Sequence, residues 1–359
     1  MPFRTEKEGG TMLVERFSEN PLIVPGDVPP SRPDYEVVGA FNAATAVYDG
    51  ETILLLRVAE RPLDKADDEE VAPILNPETG ELEHFRVKHN DPDADITDSR
   101  AFLHKGKRYL TSISHLRIAR SRDGRNFDIE PAPAVFPETD YETYGIEDPR
   151  ISQIGDEYYV TYKVVSHHGI GTALLRTTDF QDFERKGIIF CPENIDVVLF
   201  PECVNGTYYA LTRPVPSYLG PMAVWLASSK DMIHWGAHVP LLPPRPGEFD
   251  AAKTGGSCVP IRTKDGWLEI YHGADMEDRY SLGAALLDMN DPSKVIARSK
   301  RPLMQPEADY ELNGFYGNVV FSCGAVVNAD GTVTIYYGAS DECMAAATTT
   351  IEKIMSTME

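Results

Sequence analysis

An all-β propeller is the fold class this sequence predicts, and three observations predict it. The first is a recurring hairpin, a turn ending in Gly followed by a short β-rich run: DGETILLLRV (49–58), KGKRYLTSI (105–113), GDEYYVTYKVV (155–165), NGTYYALTRP (205–214), DGWLEIYHG (265–273) and DGTVTIYYG (330–338). Asp-Gly and Asn-Gly pairs between such runs signal hairpins, because glycine takes the positive φ of these turns at no steric cost. The second is a turn shared by IARSRDGRNFD (118–128), LLRTTDFQDFE (174–184) and WLASSKDMIHWG (225–236), where a strand runs into Ser or Thr with Asp and then an aromatic residue. The third is a period of about 50 residues with about four short strands per unit, the spacing of propeller blades. Helical periodicity is confined to the segment near Thr350–Met358.

A chain of 359 residues fits one large all-β domain. Residues 1–11 read as a flexible leader and 12–359 as the single domain. The charged, Pro-containing stretch 63–98 reads as an excursion over one face. With 34 basic and 56 acidic residues the net charge is −22, a field that sets nucleic acid and anionic membrane surfaces against this chain and leaves a neutral sugar unaffected. Five cysteines, an odd number without a CxxC pair, argue against a disulfide scaffold or a structural zinc site. They read as small buried hydrophobes in a reducing compartment. No signal-peptide core or long apolar run is present, so a soluble, cytoplasmic protein is expected.

The innermost strands of a propeller converge on its axis, which makes their polar ends neighbours. Reading those strands as FNAATAV (41–47), DSRAFL (98–103), EDPRISQI (147–154), FPECV (200–204), GSCVPI (256–261) and NVVFSCGAVV (318–327) gathers Asn42, Asp98, Arg100, Glu147, Asp148, Arg150 and Glu202 in one pocket. Carboxylates, arginines and aromatics around a concave mouth suit the binding and cleavage of a glycoside, where a carboxyl kept neutral protonates the leaving oxygen. Adjacent Glu147 and Asp148 repel each other, which is expected to raise at least one pKa, while Arg150 holds the other as a carboxylate. Pro149 biases Asp148 toward an extended backbone. Taken alone, Glu-Asp-Pro-Arg also suits a solvated turn. His272, ending an inner strand, reads equally as a ligand contact or a satisfied core histidine. SHHG (166–169) has no third ligand at metal spacing, so no metal site is expected. Trp225, Trp235 and Trp267 read mostly as core, and Glu311 and Arg279 as partners of each other or of a ligand.

Over nearly its full length the chain resembles glycoside hydrolase family 130, the β-mannoside phosphorylases and mannosidases. The landmarks are NPLIVP (20–25), GAFNAATAVYDGETILLLRVAERP (39–62), GIEDPRI (145–151), LFPECVNGTYYALTRP (199–214), GSCVPIRTKDGWLEIYHGA (256–274), GAALLDMNDPSKVIARSKRPLMQPEADYE (283–311), VVFSCGAVV (319–327) and YYGASD (336–341). The insert looks most like the branch acting on β-1,2-mannobiose and short β-1,2-mannooligosaccharides. The resemblance implies a five-bladed propeller, inversion at the anomeric carbon and no cofactor. It implies Asp148 as general acid, its proton passing through a mannose hydroxyl, and sugar contacts from Asn42, Glu147 and Asp341. Arg100, Arg150 and His272 join them as substrate-binding candidates. In a phosphorylase, Arg57 and Arg213 would hold inorganic phosphate as co-substrate.

Three departures shift the expectation. Ile195 stands where the phosphorylases commonly have a basic residue, Thr212 where they have His, and Glu342 where the family usually has Thr. Losing two charge-assisted contacts of roughly 1.5–3 kcal/mol each would weaken phosphate binding by about two to four orders of magnitude. The expectation therefore leans to inverting hydrolysis of terminal β-mannosides, with Glu202 or Glu342 as base. Phosphorolysis to mannose 1-phosphate is the alternative, and a non-catalytic carbohydrate-binding propeller the second. The 63–98 insert could lid the pocket or reach a neighbouring subunit in a homo-oligomer.

Overall fold

The computed structural model describes residues 13–358; the leader assigned to 1–11 lies outside them. Strands dominate, and among the described residues no helix is long and apolar enough to cross a membrane. The strands form five main antiparallel sheets, four of four strands and one of five, with two small sheets inserted in the first. Their innermost strands are Tyr35–Tyr48, Ile146–Ile154, Asn194–Leu199, Lys253–Gly256 and Val320–Val327. In the fifth sheet the outermost strand is Glu15–Arg16, so the chain's beginning completes the sheet made by its end, Glu15 opposite Thr348.

Each sheet packs face to face on the next. Ile53 and Leu55 of the first meet Val160 and Leu175 of the second. Leu174 and Phe190 meet Val197 and Ala227 of the third. Val198 and Leu211 meet Trp267 and Tyr271 of the fourth. Ile270 and Leu282 meet Ile335 and Tyr337 of the fifth, which returns through Tyr336 and Met344 to Leu54 and Leu56 of the first. Because both faces of most sheets are covered, their middle strands read as near-continuous apolar runs such as ILLL at 53–56. The shared Ser/Thr-Asp turns join third to fourth strands in three sheets. Asp123, Asp179 and Asp231 each accept two backbone N–H groups there, a local motif legible in any context.

Three assignments of inner strands (DSRAFL, FPECV and GSCVPI) and one hairpin assignment (KGKRYLTSI) are corrected; GSCVPI runs on from the fourth inner strand, which ends at Gly256. DSRAFL and KGKRYLTSI belong to the inserted three-stranded sheet, Ala94–Asp98, Ala101–His104 and Lys107–Leu110, so the excursion runs past residue 98. A hairpin, Glu69–Asn76 with Glu81–Lys88, packs on it through Phe85, Phe102 and Tyr109, with Phe85 and Tyr109 rings 4.3 Å apart. FPECV follows the third inner strand. A turn dipeptide reports that two strands pair, not which sheet they join. Of the five cysteines, all free, Cys258, Cys323 and Cys343 are buried, whereas Cys191 and Cys203 are exposed. Trp267 is core as expected, and Trp235 packs on Phe190.

A repeated staple ties the connectors to three sheets. A buried connector carboxylate (Glu142, Asp250, Glu311) accepts from a second-strand tyrosine (Tyr162, Tyr271, Tyr337) at 2.7–2.8 Å and pairs with an outer-strand arginine (Arg185, Arg298, Arg16). Glu311 thus pairs with Arg16, not with Arg279. The Glu311 side chain is fully buried and also accepts from the Glu307 and Ala308 N–H groups. Glu311→Ala is therefore expected to destabilise the fold by about 3 kcal/mol, the scale for stripping one partner from a buried pair. Equilibrium urea denaturation checks it, and a loss under 1 kcal/mol counts against the staple.

Candidate active site

Three inner strands carry the same irregularity. In each, two residues bulge opposite a single partner residue: Asn42–Ala43, Asp148–Pro149 and Asp196–Val197. The first of each pair has positive φ, 48°, 43° and 54°. Asn and Asp are the non-glycine residues that tolerate this region best, and a bulge re-aims a side chain out of the strand's alternation. The residue before each bulge faces a second-strand cation, or a residue that presents one: Phe41 opposite Arg57, Glu147 opposite Lys163, Ile195 opposite Arg213. The repeat therefore delivers an Asn or Asp and a cation from each of three successive sheets.

All of these but Asp196 line a cavity of about 420 Å³, within the range of roughly 300–1,000 Å³ that takes small organic ligands. Asn42, Arg57, Arg100, Glu147, Asp148, Arg213 and Asp341 line it as expected; Arg100 reaches it from the inserted sheet, over Tyr316 at 4.4 Å. Phe41, Tyr280, Phe315 and Phe321 supply aromatic surface. No tryptophan lines the cavity. Although the chain carries −22 overall, the wall holds six cations (Arg57, Arg100, Arg108, Lys163, Arg213, Lys253) against five carboxylates (Asp98, Glu147, Asp148, Asp278, Asp341). Locally the site is open to an anion.

Asp148, buried to 2% exposure, is held on both oxygens. Oδ1 accepts from Asn42 Nδ2 at 3.0 Å and Arg57 Nη1 at 3.1 Å, and Oδ2 from Lys163 Nζ. Arg57 Nη2 reaches Glu147 Oε1 at 2.8 Å, so one guanidinium forks across the two adjacent carboxylates. Gly338 is obligatory beside them, since a Cβ there would lie 2.1 Å from Asn42 Oδ1. Burial opposes ionisation of Asp148, but Lys163, Arg57 and Arg150 outweigh it and hold its carboxyl below the ordinary range. The repulsion expected to raise at least one carboxyl of the Glu147–Asp148 pair therefore does not raise Asp148. The raised carboxyl is Asp341, pushed by burial, and further by Asp148, from 3.8 to about 6 against the pull of Arg57.

Asp341 therefore opposes folding at neutral pH. Its folded-state pKa lies above its unfolded one, so stability is greatest below about pH 4, falls as pH rises toward about 6, and then levels off. Asp341→Asn removes a penalty on the order of 3 kcal/mol. The variant is expected to unfold at higher urea than the parent at pH 7.5 and at the same urea at pH 4.

Beneath the cavity lies a carboxylate the sequence reading missed. Asp196, fully buried, accepts from Arg150 Nη2 at 3.0 Å and pairs with Arg213 Nη2 at 2.9 Å, with His272 Nε2 3.3 Å away. Burial opposes its ionisation, and Arg213, Arg150 and His272 drive the carboxyl well down. Arg150 also donates to the Asp148 and Gly256 carbonyls, so it braces the floor rather than facing the cavity. His272 is the buried core alternative; burial lowers it to about 4. Gly255 is required here too, as a Cβ would sit 2.3 Å from His272 Nε2. Lys163 was missed as well. Aligning the repeats on their bulges would have found both residues.

Neither expected base reaches the cavity. Glu202 sits in the turn after the third inner strand and pairs with Arg262 at 2.7 Å, both exposed. Glu342 turns toward Gly314. Ile195 and Thr212 are buried within the third sheet, and Thr212 Oγ1 donates to Asn194 Oδ1. Neither residue lines the cavity.

A sugar-sized cavity with a caged carboxylate and an anion-tolerant wall is glycoside-cleaving equipment, and the chain belongs to glycoside hydrolase family 130. The family profile, described as beta-1,4-mannooligosaccharide phosphorylase, matches residues 102–359. The protein is thus an enzyme acting on β-mannosides. It is 48% identical to a beta-1,2-mannobiose phosphorylase of Listeria innocua over 97% of this chain and 99% of that one. A 1,2-beta-oligomannan phosphorylase of a Thermoanaerobacter species is 42% identical over 67% of this chain and 80% of its own. The solved structure of the Listeria innocua beta-1,2-mannobiose phosphorylase in complex with beta-1,2-mannobiose superimposes with a TM-score of 0.93, covering 96% of this chain and 98% of that one at 47% identity.

Proposed function

We propose that this protein phosphorolyses β-1,2-mannobiose and short β-1,2-mannooligosaccharides with inversion, releasing mannose 1-phosphate, from a site at the axis of a five-bladed propeller. The observation that carries this reading is the trio Arg57, Lys163 and Arg213, brought to the cavity from three sheets, with Arg213 Nε and Nη1 lacking a hydrogen-bond partner among the described residues. Buried guanidinium donors left unpaired carry a penalty that an oxyanion relieves. An inverting hydrolase needs instead a base carboxylate about 6.5–9.5 Å from the acid, and Glu202 and Glu342 are both turned elsewhere. The relatives named above support the same choice.

Asp148 is the general acid in this reading. Phosphate dianion taking up the cations that cage Asp148 would relax their hold on its carboxylate and add a repulsive charge, both favouring the protonated form. The proton then passes through a mannose hydroxyl to the glycosidic oxygen while phosphate attacks the anomeric carbon from the opposite face. Asn42, Glu147, Arg100 and Asp341 orient the sugar. No cofactor enters the scheme, and the five free cysteines suit a cytoplasmic enzyme. Incubation with β-1,2-mannobiose, with and without phosphate, tests the proposal. Mannose 1-phosphate formed only with phosphate is expected; equal mannose release without phosphate would restore hydrolysis.

A further inference from the structure

The SHHG turn lacked a third ligand nearby in sequence, and the fold provides one. His167 and His168 are the two central residues of the tight hairpin closed by Ser166 and Gly169 in the second sheet. Asp140 comes from the connector that enters the same sheet. One ligand atom from each of Asp140, His167 and His168 lies within 4.8 Å of the others. His168 Nε2 stands 2.9 Å from Asp140 Oδ2, and the two imidazole rings are 3.8 Å apart at 43°. Ser166 Oγ accepts the His168 N–H, which fixes the turn that presents both rings.

We propose that Asp140, His167 and His168 form a surface site for a divalent transition metal of the zinc class. Two imidazoles and one carboxylate select zinc-like ions over magnesium or calcium, which prefer all-oxygen shells. Metal–ligand bonds of about 2.0–2.2 Å at tetrahedral angles place neighbouring ligand atoms ~3.3 Å apart. The His168–Asp140 pair needs only a few tenths of an ångström of opening, and His167, whose ligand atom lies within 4.8 Å of the other two, must close in from an exposed turn. Three protein ligands leave a position for water. The ion would staple the hairpin tip to the connector. Val165 and Ile170, which flank this tip, line the cavity, so the staple would stiffen one cavity wall. The site does not depend on whether phosphate or water attacks the sugar.

Titration of the full chain with Co²⁺, followed by its visible absorption and by Zn²⁺ displacement, tests the proposal. One tightly bound equivalent is expected, with Zn²⁺ raising the Tm of the parent. His168→Ala and Asp140→Asn, both exposed, are each expected to weaken binding by roughly tenfold or more and to abolish the Tm rise. The single-imidazole pairs His89–Glu70, His104–Asp91 and His234–Asp231 remain in every variant as internal controls. Absence of a low-symmetry Co²⁺ spectrum in the parent, or an affinity unchanged in either variant, would overturn the proposal.

Discussion

Asp148→Asn is expected to cut turnover of β-1,2-mannobiose by about 10²–10⁴-fold, the range for removing a general acid, while leaving sugar affinity within a few-fold of the parent. The amide keeps the shape of the carboxyl and still accepts through one oxygen, so Arg57 or Lys163 retains a partner at that position. It has no proton to give to a leaving oxygen. Phosphate-dependent release of mannose 1-phosphate measures the first quantity and calorimetric titration with the disaccharide the second. Full activity in the variant would remove Asp148 from the acid role. Absence of turnover in the parent, with sugar binding intact, would instead favour a binding module.

The second large effect is expected at Arg213. Its Nη2 is engaged by Asp196, while Nε and Nη1 have no partner among the described residues. Arg213→Ala should remove a charge-assisted contact of roughly 1.5–3 kcal/mol. That corresponds to about a 10- to 150-fold rise in the KM for phosphate, with the KM for mannobiose changed far less. Arg213→Lys should recover only part of it, because a point charge lacks the guanidinium fork. Initial rates against phosphate at saturating mannobiose decide the matter. Equal changes in both KM values would mean that Arg213 merely supports the floor of the cavity.

The lean toward hydrolysis rested on Ile195 and Thr212, whereas the phosphorylase relatives favour its alternative. Both were read as lost phosphate ligands because they align with basic positions of related phosphorylases. In the fold Thr212 lies opposite the bulge at Asp196–Val197 and turns into the sheet. Lys163, a cation the sequence reading did not count, lines the cavity from one sheet away, in register with Glu147. A count of missing charges along the chain has no access to such a cation.

Much of the architecture was legible because it is local. Hairpin turns, the Ser/Thr-Asp turns and the doubly buried apolar strands are each written within about ten residues, and a period of about 50 residues adds them up. GIEDPRI and FNAA were legible as site segments because an Asp or Asn in an otherwise apolar strand demands a reason. By itself the sequence determined the all-β class, the repeat, and Asp148, Asn42 and Arg57 as candidates, all three of which line the cavity. Only the tertiary structure decided which hairpin joined which sheet, that Arg100 arrives from an inserted sheet, that Asp196 braces Arg150 and Arg213, and that Glu202 faces solvent. The physical reason is range. Backbone preferences and burial patterns act over one or two strands, whereas the ionisation of Asp148 and Asp341 depends on charges from separate sheets that meet only when the ring of sheets closes.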